Sequence, residues 1–190
     1  MKTIADVAPL ATGFSSIPTI ATLRLANEGG KWDGDDESRL DIILAALECC
    51  DAVDVELASS ILPAVAVAAK RLNKTLLVSR HNCSGVDSAD DLDSGARRAF
   101  AAGADLYKTA CLIQNENDVV VLNSFLNKRK NEAVIVIGMG DLPVAQKARR
   151  DFPCLGSRIA YAAVDGQSAP GQLSLAETVA AVRAGGKAVS

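Results

Sequence analysis

The chain has 190 residues, of which 49% are apolar and 23% charged, so it can bury a sizeable core and is not a disordered chain. Its net charge of −3 argues against a nucleic-acid partner, because duplex binding needs a clustered basic face. The basic cluster Lys128–Lys130 ends a helical pattern and is expected to be solvated. No apolar run reaches the roughly 18 residues of a membrane-spanning helix, and Asp6 interrupts the stretch where a secretory signal would be apolar. We therefore expect a cytoplasmic protein with no membrane partner.

The cysteine pattern agrees with a cytoplasmic location. The cysteines are odd in number, form no C-x-x-C pair and accompany a single histidine, which argues against a zinc site. We expect buried, reduced thiols at Cys49, Cys50, Cys83, Cys111 and Cys154.

Short β-branched runs alternate with helical patterns along the whole chain. After a short helical stretch at Ile4–Leu10, the predicted strands are Thr19–Leu23, Ala52–Leu57, Thr75–Ser79, Asp105–Thr109, Ala133–Ile137 and Arg158–Ala162. The predicted helices that follow them are Arg39–Cys49, Ser60–Leu72, Ser88–Ala102, Asn117–Lys128, Pro143–Phe152 and Ser174–Ala184.

Such β-then-α units in series predict a parallel sheet within one α/β domain spanning residues 1–190. A doubly wound sheet would usually carry a glycine-rich phosphate loop, but Gly29–Gly30 and Gly138–Gly140 fit neither common phosphate-loop spacing. A (β/α)8 barrel needs about eight units, more than the pattern contains.

The chemistry of parallel α/β folds lies where strands end, so the polar residues at those points are the candidates. They are Arg24, Glu28, Asp54, Glu56, His81, Lys108, Asp141, Arg149 and the loop 166–172, with the apolar Met139 beside them after the fifth strand.

Lys108 stands inside an apolar strand, where desolvation favours the neutral, nucleophilic amine that forms Schiff bases. The alternative is a strand-end lysine whose amine reaches solvent. His81 could be a structural histidine or a group that takes and returns a proton. Arg24 with Glu28 could equally form a surface ion pair, and Asp54 with Glu56 could be structural. Together, a lysine, a histidine and arginines suit imine-assisted dehydration of a keto acid.

Five short motifs follow one another along the chain: TLRLANEGG (Thr22–Gly30), DVEL (Asp54–Leu57), VSRH (Val78–His81), GADLYKTA (Gly103–Ala110) and SAPGQ (Ser168–Gln172). In these motifs, their order and their spacing, the sequence resembles the type I 3-dehydroquinate dehydratases of the shikimate pathway. The resemblance runs from about Pro18 to the C-terminus.

The resemblance implies a role for each matching residue. Lys108 matches the Schiff-base lysine, His81 the general acid/base, and Glu28 the carboxylate that orients the histidine. Arg24 matches an arginine at the substrate's hydroxyl groups, while Ser168 and Gln172 match a loop that closes over the substrate. The resemblance implies no metal and no organic cofactor.

Further pocket residues come from the same comparison of motifs. The family's carboxylate-binding arginine precedes a Gly-Ser pair by seven residues, which selects Arg149 before Gly156-Ser157 rather than Arg158. Arg158 should then face solvent. Tyr161 falls at an aromatic position of the pocket, and Met139 at the end of the fifth strand is also expected to contact substrate.

The resemblance also implies a (β/α)8 TIM-barrel fold, here shortened at its start to about six parallel units. The family's first two units, including a Glu-x-Arg pair that contacts substrate, have no match in residues 1–17. Because an open barrel would expose sheet edges, we expect another chain, residues 1–17 or both to cover them, and we favour a homodimer. We expect weak or absent turnover, because two substrate contacts are missing and the pocket is open to water.

The resulting prediction is a lyase that converts 3-dehydroquinate to 3-dehydroshikimate. Two alternatives remain open: an inactive or weak ligand-binding relative on the same fold, and a class I aldolase-like enzyme that uses the same imine chemistry.

Overall fold

The computed structural model describes residues 17–164, 166, 169 and 171–185, so the stretch Ile4–Leu10 and Ser168 lie outside the described residues. The strands are β1 (Ile20–Thr22), β2 (Ala52–Glu56), β3 (Thr75–Asn82), β4 (Leu106–Leu112) and β5 (Val134–Met139). The helices are α1 (Asp36–Cys49), α2 (Leu62–Leu72), α3 (Ala89–Ala101), α4 (Glu116–Lys128), α5 (Pro143–Cys154) and α6 (Leu175–Gly185), with a 3-10 turn at Ala26–Glu28.

The five strands form one sheet in the order β1-β2-β3-β4-β5, so each strand lies beside the one that follows it in sequence. β1 and β2 pair in parallel, with Ile20 opposite Ala52, and β2 pairs in parallel with β3, with Ala52 opposite Thr75. All of β2 is buried, as a strand covered on both faces must be. The predicted α/β architecture with helices between parallel strands is confirmed.

The segment Arg158–Ala162, predicted as a sixth strand, is not a strand. The Arg158 N–H donates to the Val134 carbonyl oxygen at 3.0 Å, at the start of β5. Just after the segment, Ala163 forms an isolated parallel bridge with Ser174. One hydrogen bond at Arg158 and an isolated bridge at Ala163 do not make the ladder that defines a strand.

The chain divides into two compact units. The first comprises residues 1–80 and 97–107, and its helix α1 begins at an Asp35 cap, whose side chain accepts a hydrogen bond from the Ser38 N–H at 2.7 Å. The buried face of α1 carries Ile42, Ile43, Ala46, Leu47 and, one turn earlier, Arg39. This spacing is that of a helix stripe facing a core, with an arginine at one end of the stripe.

The second unit comprises residues 81–96 and 108–190. Its helix α4 begins with a capping box, in which Asn115 accepts from the Asp118 N–H at 3.2 Å and Asp118 accepts from the Asn115 N–H at 3.1 Å. After α4, Arg129 is buried and bonds Asp93 at 3.1 Å and Glu132 at 2.7 Å. The expectation that the cluster Lys128–Lys130 is solvated is therefore wrong for its central residue.

The buried carboxylate of Asp93 predicts a defined dependence of stability on pH. Hydrogen bonds from Lys128 and Arg129 hold the pKa of Asp93 below its ordinary value, against the opposing effect of burial. The stabilisation is therefore complete above the carboxyl's unfolded pKa and is lost as the pH falls through the lowered folded value. We expect Asp93→Asn to lower the free energy of unfolding by about 1–3 kcal/mol at pH 7.

Urea unfolding of wild type and Asp93→Asn between about pH 3 and pH 8 checks this expectation. The difference in free energy of unfolding between the two proteins should stay constant above about pH 5 and become smaller below it. Asp151→Asn is the matched control, because its exposed pairing with Lys147 is worth about 0.5 kcal/mol or less. A difference in free energy of unfolding that grew as the pH was lowered would contradict this prediction.

The five cysteines are free thiols in the described structure. Cys50 and Cys111 are buried as predicted, but Cys49 and Cys83 are exposed and Cys154 is half-buried. Among the helices between residues 17 and 185, none combines the length and hydropathy that a bilayer crossing requires.

Candidate active site

In the first unit, Arg24 lies just beyond β1 inside a network of buried polar groups. One of its terminal nitrogens donates to Glu56 Oε1 and to Ser79 Oγ, both at 2.7 Å, and the other pairs with Asp54 Oδ2 at 2.8 Å. Ser79 in turn donates to Asp54 Oδ1 at 2.6 Å, so one guanidinium joins the segment after β1 to residues of β2 and β3.

This environment fixes both the charge and the direction of Arg24. Burial tends to lower the pKa of Arg24, but the carboxylates of Asp54 and Glu56, with Glu28 nearby, outweigh it and raise that pKa above its ordinary value. The guanidinium is therefore permanently charged. The alternative that Arg24 and Glu28 form a plain surface ion pair is wrong, because Arg24 is mostly buried and its main partners are Asp54 and Glu56.

The backbone conformation around Arg24 explains why glycine occupies positions 29 and 30 of the first motif. Gly29 ends the 3-10 turn with a φ of 80°, a conformation that favours glycine. Gly30 packs so closely on the chain that a Cβ there would lie 2.1 Å from the Arg24 carbonyl oxygen. The same oxygen accepts a hydrogen bond from the Trp32 N–H at 3.0 Å. The two glycines thus let the chain turn back on Arg24 and fix the backbone that carries it.

The sequence analysis missed Arg39, which the structure places in this network. Its side chain is fully buried, and its partners are Glu56, Ser59 and the Leu23 carbonyl oxygen. The signal that could have identified it is positional, since Arg39 precedes Ile42 and Ile43 by three and four residues and so shares their buried face.

In the second unit, Lys108 lies in the middle of β4 and is only 5% exposed. Tyr107, Thr109 and Cys111 are fully buried and alternate with it, so Lys108 projects from the opposite face of the strand. Its Nζ lies 5.0 Å from the centre of the Tyr161 ring, in cation–π range. The alternative of a strand-end lysine that reaches solvent is wrong.

Tyr161 connects Lys108 to Arg149. Both Tyr161 and Arg149 line a small cavity of about 20 Å³, together with Val136, Ile159 and Leu173. Burial of Arg149 in α5 lowers the pKa of its guanidinium, and the carboxylate of Asp141 opposes that effect. Arg158, the competing arginine of the sequence analysis, is exposed as expected.

The end of β5 and the loop before α6 meet at two glycines. Met139 is the last residue of β5 and is buried. A Cβ on Gly171, whose φ is 69°, would lie 1.9 Å from the Gly140 carbonyl oxygen, so the two backbones touch. Gln172 follows directly and is buried. Ser168 lies outside the described residues.

The remaining catalytic candidate, His81, lies on β3 and is half-buried. Within the second unit the structure therefore brings Lys108, Tyr161 and Arg149 together, and within the first it joins Arg24 to Asp54 and Glu56. Among the residues that the structure describes, no three His, Cys, Asp or Glu side chains form a cluster that could hold a metal ion.

A parallel α/β sheet with charged side chains near its strand ends and a buried lysine in one strand is typical of enzymes of the α/β class. The sequence model of the family described as Type I 3-dehydroquinase matches residues 1–187. The chain belongs to this family of hydro-lyases.

Individual relatives agree with this membership. The 3-dehydroquinate dehydratase of Methanococcoides burtonii is 33% identical over 176 residues, covering 92% of this chain and 74% of the relative. That of Thermodesulfovibrio yellowstonii is 30% identical over 178 residues, covering 94% and 77%.

Solved structures give the same result for the fold. The crystal structure of 3-dehydroquinate dehydratase from Geobacillus kaustophilus matches with a TM-score of 0.89 at 26% identity, covering 98% of this chain and 75% of that one. The enzyme from Aquifex aeolicus matches with a TM-score of 0.82 at 26% identity, covering 96% and 81%. The predicted TIM-barrel type is confirmed.

Proposed function

We propose that this protein dehydrates 3-dehydroquinate to 3-dehydroshikimate through a Schiff base on Lys108. The observation that carries the proposal is a lysine side chain in the middle of β4, on a residue that is only 5% exposed. A desolvated amine favours its neutral form, which is the nucleophile for a ketone. Membership of the hydro-lyase family supplies the substrate class.

The proposed reaction begins when the Lys108 amine attacks the substrate ketone and expels its oxygen as water, which leaves an iminium. The iminium draws electrons from the adjacent carbon, so a proton there becomes acidic. His81 takes this proton, and the electron pair becomes an enamine. Collapse of the enamine expels the β-hydroxyl, which leaves as water with the proton that His81 returns. Water then hydrolyses the imine and releases the unsaturated ketone and the free lysine.

The other candidates serve binding and orientation in this proposal. Arg24 is a fixed donor for the substrate's hydroxyl groups, and Glu28 orients His81. Arg149 binds the substrate carboxylate as a charged hydrogen-bond donor. Tyr161 and Met139 line the apolar side of the pocket, and Ser168 and Gln172 close over the bound substrate. The chemistry needs no metal or cofactor, because the lysine itself accepts the electrons.

Two further properties belong to the same proposal. We propose that the chain forms one barrel domain and acts as a homodimer in the cytoplasm. The strand β1 supports the dimer, since it lies at one end of the sheet order and has the apolar sequence Ile20-Ala21.

Purified protein should convert 3-dehydroquinate to a product with the ultraviolet absorbance of a conjugated enone, which a spectrophotometer follows directly. His81→Ala should lower kcat by about 100-fold or more, because it removes the proton carrier. It should still form a reducible imine, since Lys108 remains. Tight binding of 3-dehydroquinate without any turnover would instead assign the chain to the ligand-binding alternative.

A further inference from the structure

We infer that Arg39 is a positioning residue that holds Arg24 in its working orientation. The inference rests on the proposed function for the role of Arg24, but its structural part concerns only contacts within the first unit. Arg39 belongs to none of the motifs that identify the family in this sequence.

The guanidinium of Arg39 joins the ends of two strands. Its Nε and one terminal nitrogen donate to the Leu23 carbonyl oxygen at 3.0 and 2.9 Å, directly before Arg24. The latter nitrogen also pairs with Glu56 Oε2, and the other terminal nitrogen donates to Ser59 Oγ at 2.9 Å. Arg39 therefore holds the backbone on which Arg24 stands and the carboxylate that Arg24 pairs with.

Glu56 transmits this constraint to Arg24. Its Oε1 accepts from the Arg24 terminal nitrogen at 2.7 Å and from the Leu25 N–H at 3.0 Å, while Arg39 holds its Oε2. With both oxygens occupied, the carboxylate has one orientation. If Arg39 is removed, Oε2 loses its partner and the Glu56 side chain is free to rotate.

Charge balance gives a second reason. The buried carboxylates of Asp54 and Glu56 carry two negative charges, and the guanidinium groups of Arg24 and Arg39 carry two positive ones. Without Arg39, Glu56 keeps its ion pair with Arg24, and the same Arg24 guanidinium also pairs with Asp54. A guanidinium drawn toward two buried carboxylates is less available to a substrate hydroxyl.

The geometry also requires arginine rather than any cation. Arg39 uses Nε and both terminal nitrogens of its planar guanidinium on three different partners. A lysine ammonium can neutralise Glu56, but it cannot reach Leu23 and Ser59 at the same time. Arg39→Lys should therefore restore part of what Arg39→Met loses.

Steady-state kinetics of the full-length protein test the positioning role. Arg39→Met should lower kcat/KM by about 10- to 100-fold, mainly through KM, and Arg39→Lys should recover part of this loss. Arg129→Met is the matched control, because Arg129 is equally a buried, doubly paired arginine but lies in the other unit. It should lower stability without changing the KM of the folded enzyme.

Hydrogen exchange of the Leu25 amide gives a readout that needs no activity, because this N–H donates to Glu56. Its protection should fall about 10-fold in Arg39→Met and remain unchanged in Arg129→Met. If Arg39→Met does not fold, the same measurements can be made on Arg39→Lys. They can also be made on the double variant Arg39→Met/Glu56→Gln, which leaves no unpaired charge.

The outcomes separate the two proposals. Loss of Leu25 protection in a protein whose wild type lacks dehydratase activity would support the positioning role and overturn the proposed function. Unchanged protection and an unchanged KM in Arg39→Met would overturn the positioning role, even in a fully active enzyme. If Arg129→Met changed KM and Leu25 protection as much as Arg39→Met does, Arg39 would be only a stabilising residue, and the positioning role would be overturned.

Discussion

Sodium borohydride added to the protein with 3-dehydroquinate should reduce an imine and attach the substrate skeleton irreversibly to Lys108. The expected result is a mass increase of one substrate-derived group, located on the peptide that contains Lys108. Lys108→Ala should form no adduct and lose at least about 10,000-fold in kcat, because it removes the amine that forms the proposed iminium electron sink. Mass spectrometry of the intact and digested protein makes the measurement.

Lys147→Ala is the control for reagent specificity, since Lys147 is an exposed lysine on α5. It should form the adduct as wild type does. Adduct formation by Lys108→Ala at the wild-type level would show that another amine reacts, and the assignment of Lys108 would be wrong.

Arg149→Ala should abolish binding at ordinary substrate concentrations. A charged donor paired with a carboxylate in a closed site is worth about 2–5 kcal/mol, which corresponds to about 30-fold to several-thousand-fold in Kd. Isothermal titration with substrate or product, at constant pH and salt, measures the loss. In the structure, Arg149 and Tyr161 line the same small cavity.

Arg158→Ala is the matched control, because it removes the same side chain from an exposed position nine residues later. We expect a change in Kd of less than about 3-fold, which is the range for a distant surface charge. If Arg158→Ala were the more damaging of the two, the spacing argument from Gly156-Ser157 would have selected the wrong arginine.

Much of the fold could be predicted because strand and helix patterns are local. The helix predicted at Ser88–Ala102 is observed at Ala89–Ala101, and that at Asn117–Lys128 is observed at Glu116–Lys128. The segment Arg158–Ala162 has the same apolar composition as the strands, but composition does not report whether a partner strand lies alongside in register. Whether this segment forms a strand depends on its pairing with another strand, which the local sequence pattern does not show.

The candidate site also has some features that the sequence predicts and others that it does not. The buried position of Lys108 could be predicted, because an apolar strand surrounds it in the sequence. The partners of Arg24 could not, since Asp54, Glu56 and Ser79 lie 30 to 55 positions away in the chain and meet it only through strand pairing. Arg39 was missed for a related reason: a charged residue on a helix is ordinarily read as solvent-facing, and only its register with Ile42 and Ile43 indicates burial.

The contact between Gly140 and Gly171 has a consequence for any attempt to diversify this enzyme by random mutagenesis. At Gly171 every other residue would meet a backbone oxygen at 1.9 Å in a left-handed conformation, and at Gly140 the φ of 121° excludes side chains equally. A saturation library selected for growth should therefore return only the wild-type codon family at both positions. Deep sequencing of such a library would reveal two invariant sites that contain no functional group.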